Sequence, residues 1–576
     1  MRKKWQKATA CIMALAMSGV MMGCESSPTH STPDAPIEEK DELRTQLYIY
    51  NTDFAGGSEW LQRLADEFEL LHSLDTEWED GKTGVQVIVR TSVNRDEDLT
   101  SRLKTGVEEI YFSIAPNYRS LAKQNLLMDL TELVATELPN ETRSIVNKLS
   151  QSQQEYYGVP TELETASSDT DDSRTYYAIP YRSGTFGFVY NVDMFEKYGY
   201  YFSAEPTSEL DLFVKTATER RSAGADGLWN TFDDGLPATY AEFFALCDKI
   251  SSNGHVPVTW GGATYGEYLT WLTNALATDC DGYEQTMMRY TLNGEATGLG
   301  SIRNGGFAAA EKSTRITDEN GYELVRSSGV YRALEFVRKL TTTERYYDGE
   351  AFRTNRTQDD AQADFMAGEK LTGAPMKKPI AMLADGSWWQ SGIARGENLE
   401  TANAVEGDEE TRFGFMPLPK ATKGQVGEKT TLYNCLSSSV FVSARTEEWK
   451  QPLVEDFLRF IYSDAGLKEY MLLTNSTVAL DVNLDETEFS GLSYFGKSVA
   501  EILMNADTVS PYSTNPLFLN NESSFAVQNY WGATFPTSAP FEHPAEAFRK
   551  NNVSVVDYFN GMLKNRAEKW GQLKKN

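Results

Sequence analysis

Strand-like and helix-like segments alternate through the first part of the chain, and this order constrains the fold more than any other feature. Three apolar segments, 47–50, 85–89 and 110–114, have the length and composition of buried strands. Between the first two, apolar residues recur at helical spacing from Trp60 to Leu71. Strands that alternate with helices form a parallel sheet. The sequence therefore predicts the α/β class, with ligands at the carboxyl ends of the strands.

The aromatic content and the net charge restrict the kind of ligand. The 576 residues include 29 Tyr, 28 Phe and 11 Trp. Aromatic rings fill large cores, but they also supply the flat apolar surfaces on which the C–H faces of sugars pack. The net charge is −29, and it falls by four, to −33, without the basic residues of segment 1–23. Such a charge disfavours nucleic-acid binding and suits an exported protein with a neutral or cationic ligand.

The N-terminus has the pattern of a lipoprotein signal peptide over residues 1–23. Basic residues precede an apolar run, Ala8–Met22, that is too short for a usual transmembrane span. The run ends at Met21-Met22-Gly23-Cys24, which resembles the bacterial lipobox with Met21 where Leu is usual. We expect Cys24 to be lipidated, with 24–46 as a disordered tether, on the outer face of the cell membrane. A secretory peptide with an incidental cysteine is the alternative.

Signals for chemistry are weak. Cys247, Cys280 and Cys435 are interpreted as buried thiols, with a Cys247–Cys280 disulfide as the alternative. The chain has no HExxH or GxSxG motif. Gly491–Ser498 (GLSYFGKS) matches the nucleotide P-loop pattern, but the acidic residues before it make a poor buried strand. We therefore interpret this match as chance and predict no required cofactor.

An acidic loop, Gly224–Gly235 (GADGLWNTFDDG), groups oxygen-bearing side chains between glycines. Its candidate calcium ligands are Asp226, Asn230, Asp233 and Asp234. Calcium takes six to eight oxygen ligands on flexible loops. The spacing is not that of an EF-hand, and a solvated acidic loop is the alternative.

Several segments, in order along most of residues 47–475, resemble the extracellular solute-binding proteins of carbohydrate ABC importers, of the maltose-binding-protein type. The similar segments are Tyr177–Tyr198, Leu236–Asp248 (LPATYAEFFALCD), Phe365–Trp388, Phe413–Pro419 and Gln451–Leu467. Segment 110–114 departs from that family's Asp-containing strand.

The resemblance implies a two-lobed periplasmic-binding-protein fold of type II, with several chain crossings at a hinge. Lobe one would be 47–184 plus 385–432, and lobe two would be 185–384 plus 433–576. A ligand would bind between the lobes of a monomer, and the closed form would dock on a membrane permease without altering the ligand.

Sugar binding requires rings for C–H faces and polar side chains for hydroxyls. The candidate rings are Trp60, Tyr181, Trp260, Tyr265, Trp388, Trp389 and Trp531. The candidate hydroxyl partners are Asp53, Arg182, Asp385 and Asn434. A micromolar ligand needs about 8 kcal/mol, so two or three anchors worth about 2 kcal/mol each leave most candidates structural. Trp388, in the "GsW" position of the family, is preferred for sugar, and Trp389 for packing.

The sequence thus predicts a lipid-anchored binding protein that delivers an oligosaccharide to an ABC permease. A secreted carbohydrate-active enzyme is one alternative. A binder of peptides or of another nutrient on the same fold is the other. Product formation would identify the enzyme, whereas a thermal shift without product would identify a binding protein.

Overall fold

A computed structural model describes most of the chain. The described residues are 39–52, 58–91, 99–114, 117–160, 174–208, 211–368, 378–393, 411–511, 513, 515–519 and 544–574. The predicted signal peptide, Cys24, Asp53 and Trp531 lie outside these ranges, as does most of the predicted tether. Within the described ranges, no helix combines the length and apolarity that a membrane span requires.

Strands and helices alternate over much of this structure. The strands are β1 (Thr45–Asn51), β2 (Val85–Thr91), β3 (Ile110–Ile114), β4 (Gly158–Pro160), β5 (Arg174–Tyr176), β6 (Ile179–Asn191), β7 (Val256–Thr259), β8 (Gly294–Ala296), β9 (Gly300–Arg303), β10 (Gly306–Ala309), β11 (Thr314–Ile316), β12 (Ile380–Gly386), β13 (Phe413–Met416), β14 (Thr431–Val442), β15 (Thr477–Val478) and β16 (Asp507–Val509).

The helices are amphipathic where they cover the sheet. In order, they are α1 (Glu59–Leu71), α2 (Leu99–Thr105), α3 (Tyr118–Lys123), α4 (Thr131–Ala135), α5 (Gln151–Tyr157), α6 (Val192–Tyr198), α7 (Tyr240–Ser252), α8 (Tyr265–Asp281), α9 (Tyr283–Thr291), α10 (Ser328–Thr342), α11 (Gln358–Ala367), α12 (Trp389–Ile393), α13 (Gln451–Tyr462), α14 (Asp464–Thr474), α15 (Glu486–Gly491), α16 (Tyr494–Met504), α17 (Pro516–Leu519), α18 (Pro544–Asn551) and α19 (Val555–Leu573). In α1, for example, Trp60, Leu64 and Phe68 recur every four residues and are buried.

One ten-stranded sheet runs through the molecule, with the main order β2-β1-β3-β14-β6-β12-β7. At one end, β1 is parallel to both β2 and β3, as the strand–helix alternation predicts. In the middle, β14 is antiparallel to β3 and β6. At the other end, β12 is antiparallel to β6 and parallel to β7. The prediction of an α/β fold is confirmed, with a mixed sheet.

Two cores lie on either side of the middle strands. The first, which we call the N-lobe, packs residues from 47–181 with residues from 440–480. The second, the C-lobe, packs residues from 186–436 with residues from 495–573, joined at its boundary by Ile114. The architecture is therefore two α/β lobes that share one sheet.

This packing differs from the expected division of the chain. Segment 385–432 was expected in lobe one, but its buried residues, including Trp388 and Met416, belong to the C-lobe core. Segment 440–480 was expected in lobe two, but it completes the N-lobe core. The reason lies in the strand pairing: β12 pairs with β6 and β7 and so stays in the C-lobe, and β14 returns the chain to the N-lobe.

Two interpretations of local sequence can be compared with the structure directly. Cys247, Cys280 and Cys435 are free thiols, so the alternative Cys247–Cys280 disulfide is absent. The P-loop-like segment 491–498 follows helix α15 instead of a buried strand. A phosphate-binding loop needs a strand before it, so the chance interpretation of this match is supported.

Candidate functional site

The strand ends of the N-lobe point at the C-lobe. β14 pairs Ser438 with Ile114, the last residue of β3, and the same strand continues backwards into the C-lobe. Because β1, β2 and β3 are parallel, their carboxyl ends lie together on this side. Ligands of parallel sheets bind at that edge, so the boundary between the lobes is the place to look for a site.

Two long strands cross this boundary side by side. β6 pairs through Arg182 with the N-lobe part of β14, and through Phe186 with β12 of the C-lobe. β14 begins against β16 in the C-lobe and ends against β3 in the N-lobe. The crossing therefore falls at 183–185 of β6 and 434–437 of β14, which we call the hinge.

Side chains fasten the hinge to its surroundings. Asn434 accepts a hydrogen bond from the backbone N–H of Gly184 at 3.2 Å and donates one to Ser510 at 3.3 Å. Ser387 Oγ accepts from the backbone N–H of Thr185 at 3.2 Å. Asn434, predicted to bind sugar hydroxyls, therefore has a structural function at the hinge.

The chain passes between the lobes a third time after β15. Thr477 in β15 pairs with Ser183, and its hydroxyl donates to the Ser183 carbonyl at 2.9 Å. Ser183 Oγ in turn donates to the carbonyl of Val478 at 3.1 Å. This pairing brings the third passage beside the two crossing strands, so the described residues make three crossings at one hinge.

Four aromatic rings form a wall beside the hinge, on the C-lobe side. The aromatic wall consists of Phe186, Tyr268, Trp271 and Trp388. Trp271 contacts Trp388 edge-on at 5.6 Å and Tyr268 at 5.2 Å between ring centroids. Phe186 lies 5.5 Å from Tyr268 and 6.3 Å from Trp388. Phe186 and Trp388 are buried, whereas Tyr268 and Trp271 are half-buried, so part of each of the last two side chains is accessible to solvent.

Two glycines let Trp388 approach the hinge. A Cβ atom on Gly184 would lie 2.7 Å from Cε3 of Trp388, and a Cβ on Gly386 would lie closer still. Real side chains do not make such contacts, so both positions require glycine for this packing. The glycine in strand β6 thus has a packing function: it allows an indole ring to lie directly on the backbone at the crossing.

Asp385 holds the turn that carries Trp388. Its Oδ2 accepts hydrogen bonds from Gln358 at 2.9 Å and Gln362 at 2.8 Å, and its Oδ1 accepts one from the N–H of Gly386 at 2.8 Å. Burial raises the pKa of Asp385 to about 6, against the opposing effect of these hydrogen bonds. Asp385 is therefore engaged in connecting α11 to the end of β12.

Three of the predicted sugar-binding rings lie in the cores. Trp60 stacks on Tyr181 at 5.2 Å, with Phe112 and Tyr470 at its edges in the N-lobe. Trp260 is fully buried against aromatic neighbours in the C-lobe. Because other rings cover their faces, Trp60, Tyr181 and Trp260 stabilise the lobes and offer no surface to a ligand.

Two further candidates, Arg182 and Tyr265, lie on elements that also carry wall residues. Arg182 is buried two residues before Gly184 on the same face of β6, because alternate strand residues share a face. Tyr265 is half-buried at the start of α8, one helical turn before Tyr268. Ligand contacts at both positions remain predictions, as do those at Asp53 and Trp531.

Sequence reasoning missed Trp271 as a wall residue. Tyr265, Tyr268 and Trp271 recur every three residues, which places them on one face of α8. That spacing is visible in the sequence, but only the packing of α8 against β6 shows which face lies beside the hinge.

A groove of about 770 Å³ lies between the lobes and, like the aromatic wall, borders the hinge. It is lined by Val482 after β15, by Met504 at the end of α16 and by Ser183 at the crossing. Ser183 and Gly184 are successive residues of β6 and so face opposite sides. The groove and the wall are therefore on different sides of the hinge. A larger cavity, of about 1130 Å³ between α6 and α7, touches neither.

The acidic loop uses its carboxylates to hold its own backbone. Asp233 accepts from the N–H groups of Ala225 at 2.7 Å and Asp226 at 3.1 Å, and Asp234 accepts from that of Asn230 at 3.0 Å. Burial raises the pKa of Asp233 to about 7. Over the described residues, no three His, Cys, Asp or Glu side chains are grouped to hold a metal ion. The predicted calcium site of Asp226, Asn230, Asp233 and Asp234 therefore stays a prediction.

Comparison with known proteins gives one family and a set of similar folds. A family model described as bacterial extracellular solute-binding protein matches residues 65–487. Comparison with curated protein sequences finds no match.

Two solved structures illustrate the similarity of fold. A chitin oligosaccharide binding protein superimposes with a TM-score of 0.52 and 14% identity, over 92% of this chain and 99% of that one. The apo form of RafE from Streptococcus pneumoniae gives a TM-score of 0.49 and 14% identity, over 93% of this chain and 100% of that one. At this identity, the first similarity supports the two-lobed fold alone.

Proposed function

The chain belongs to the bacterial extracellular solute-binding proteins, and we propose that it captures a neutral oligosaccharide between its lobes and delivers it to the permease of an ABC importer. The observation that carries this proposal is the aromatic wall beside the hinge. Tyr268 and Trp271 are half-buried and pack on each other, and the ring of Trp388 lies edge-on against that of Trp271. Rings in this arrangement suit the C–H faces of sugars.

The position of the wall explains how capture leads to a signal for the permease. The wall belongs to the C-lobe, whereas the carboxyl ends of β1, β2 and β3 belong to the N-lobe. A ligand that contacts both surfaces binds the closed arrangement more tightly than the open one, and so it shifts the population toward closure. The closed form is the one that we propose docks on the permease.

Charge and the structural relatives favour a neutral sugar over other ligands. The net charge of −29 repels anionic solutes. The chitin oligosaccharide binding protein has a similar fold. We infer binding without catalysis. A carbohydrate-active enzyme or a peptide binder would give a different result in the experiment below.

Cys24 supports a lipid anchor in this proposal. The lipobox-like sequence before it would place the mature, monomeric protein on the outer face of the membrane. Mass spectrometry of the mature N-terminus tests this part separately, since a diacylated Cys24 is expected and an unmodified N-terminus would contradict it.

A thermal-shift screen with neutral oligosaccharides, peptides and polysaccharides tests the function. A ligand that binds the native state at 100 times its Kd raises stability by about 2.7 kcal/mol. We expect at least one oligosaccharide to raise the melting temperature and no polysaccharide to yield product. A shift with peptides alone, or product from a polysaccharide, would reject the proposal.

A further inference from the structure

The third crossing carries a contact between the lobes that ligand binding alone does not require. Asn475 follows α14 in the N-lobe, and Ser493 is the N-cap residue of α16 in the C-lobe. The backbone N–H of Ser493 donates to Oδ1 of Asn475 at 2.8 Å. Asn475 has a φ of 49°, a left-handed conformation that Asn adopts more readily than most residues. The intervening residues therefore form a closed loop at the hinge.

The side chain of Ser493 connects this loop to the tryptophan turn. Its Oγ accepts a hydrogen bond from the N–H of Gly496 at 3.0 Å, which caps α16. The same hydroxyl donates to Oε1 of Gln390 at 2.6 Å. Gln390 follows Trp388 and Trp389 directly in the chain. One residue thus joins the N-lobe, the C-lobe and the segment that carries Trp388.

We call the contacts of Ser493 with Asn475 and Gln390 the joint. Glycine and serine residues of the P-loop-like segment 491–498 contribute to it and to the packing of α16. A Cβ atom on Gly496 would lie 2.6 Å from Oδ1 of Asn475, so only glycine permits the close approach. Ser498 Oγ accepts from the N–H of Phe415 at 2.8 Å, which fixes α16 on β13. The pattern of small residues in segment 491–498 is therefore explained by contacts of α16 with its neighbours.

We propose that Ser493, together with Asn475 and Gln390, is a positioning group that couples the Trp388 turn to the hinge. Sugar contact at the aromatic wall and the relative position of the lobes are then linked through one hydroxyl. Such coupling requires that the linked element differ between the two arrangements of the lobes. The sugar part of this inference rests on the proposed function, whereas the joint itself rests on the contacts described above.

Ser493→Ala removes both the cap and the link to Gln390, so a matched control is needed. Ser463 caps α14 in the same way, since its Oγ accepts from the N–H of Gly466 at 3.1 Å. Its hydroxyl donates to the backbone carbonyl of Phe460 at 2.7 Å, inside the N-lobe. Ser463→Ala therefore removes a cap and a hydrogen bond without touching the joint.

The test measures distances between the lobes without ligand, and then sugar affinity. Spin labels replace two exposed lysines, through Lys123→Cys in the N-lobe and Lys312→Cys in the C-lobe, with Cys280 and Cys435 replaced by Ser. We expect Ser493→Ala to broaden the distance distribution and to raise the Kd for the oligosaccharide selected by thermal shift about tenfold. Ser463→Ala should change neither the distance distribution nor the Kd. Ser493→Thr, which keeps the hydroxyl, should match the unsubstituted protein in both measurements.

The ligand-free distance measurement tests the joint, and the affinity measurement tests its coupling to sugar binding, which rests on the proposed function. Equal distance distributions in Ser493→Ala and Ser463→Ala would overturn the joint, whatever the sugar result. A broadened distribution with unchanged sugar affinity would overturn the coupling. If the unsubstituted protein binds none of the sugars, the proposed function fails, while the ligand-free distances still decide whether Ser493 positions the lobes.

Discussion

Two adjacent tryptophans lie in contrasting surroundings. Trp388 contacts Trp271 of the aromatic wall and lies against Gly184 of the hinge. Trp389 points into a closed cluster, with Phe413 at 5.1 Å and Phe495 at 5.2 Å between ring centroids. Both side chains are buried, at 5% and 1% exposure. Burial alone therefore does not separate the ring that we propose supports the ligand from the ring that packs in the core, whereas the neighbours of the two rings differ.

On the proposed function, this one turn contributes to both stability and binding. Trp389 fixes α12 against α16 and β13, which makes the turn rigid. Trp388 is then held at a defined place beside the hinge, where half-buried rings complete the surface. A rigid support of this kind lowers the cost of organising a binding surface.

Trp389→Ala should give the largest effect, and it falls on stability. Removing a fully enclosed indole leaves a cavity, and such substitutions cost about 3–5 kcal/mol. Thermal or denaturant unfolding should show this loss. Because Trp389 affects only the rigidity of the turn, the Kd of the folded fraction for sugar should rise less than the roughly tenfold increase expected below for Trp388→Ala. A variant that keeps its stability and loses affinity would reverse the roles assigned to the two rings.

Trp388→Ala should act mainly on binding. We expect the Kd for the oligosaccharide to rise at least about tenfold, or about 1.4 kcal/mol, with a smaller loss of stability than in Trp389→Ala. Titration calorimetry measures this directly. Trp449→Ala, at a ring 45% exposed on the N-lobe, is the control that removes a tryptophan elsewhere. Unchanged affinity in Trp388→Ala would show that Trp388 only packs in the core.

Substitutions on the two sides of the hinge should sharpen the location of the site. Trp271→Ala removes half-buried wall surface, and we expect about 1 kcal/mol of lost affinity, or about fivefold in Kd. Met504→Ser changes the groove on the other side of β6, where Met504 is 63% exposed, and should leave affinity unaltered. Lost affinity in Met504→Ser with unaltered affinity in Trp271→Ala would place the ligand in the groove instead of at the aromatic wall.

The smallest expected effect concerns the pH dependence of the turn itself. The pKa of Asp385 is raised to about 6 in the folded protein, above its ordinary value of about 3.9. The folded state therefore holds the proton more tightly, and stability contributed by Asp385 falls as pH rises from about 4 to about 6. Asp385→Asn should lose this dependence. Between about pH 4 and about pH 6, the melting temperature of the unsubstituted protein should therefore fall by about 2 °C more than that of Asp385→Asn. Parallel curves for the two proteins would contradict the raised pKa.

Local sequence was sufficient for much of the fold. The predicted strands 47–50, 85–89 and 110–114 lie within or coincide with β1, β2 and β3, because buried parallel strands leave continuous apolar runs. Segment 177–198, which resembles the solute-binding family, contains β6. This strand continues through Gly184 and Gly187, where Trp388 and Phe415 lie against the backbone.

The lobe boundaries and most site residues could not be obtained in this way. The return of the chain to the N-lobe depends on β14 pairing with β6, about 250 positions earlier in sequence, and no local pattern encodes such a pairing. Trp60 and Trp388 are both aromatic residues near strand ends, yet Trp60 is enclosed by Tyr181 and Tyr470. Only packing separates a core ring from a ring beside the hinge.

Small-angle X-ray scattering with and without the oligosaccharide that gives the largest thermal shift tests capture between the lobes most directly. We expect the radius of gyration to decrease at saturating sugar, and we expect the decrease to be lost in Trp388→Ala at the same sugar concentration. A sugar that raises the melting temperature but leaves the radius of gyration of the unsubstituted protein unchanged would contradict capture between the lobes.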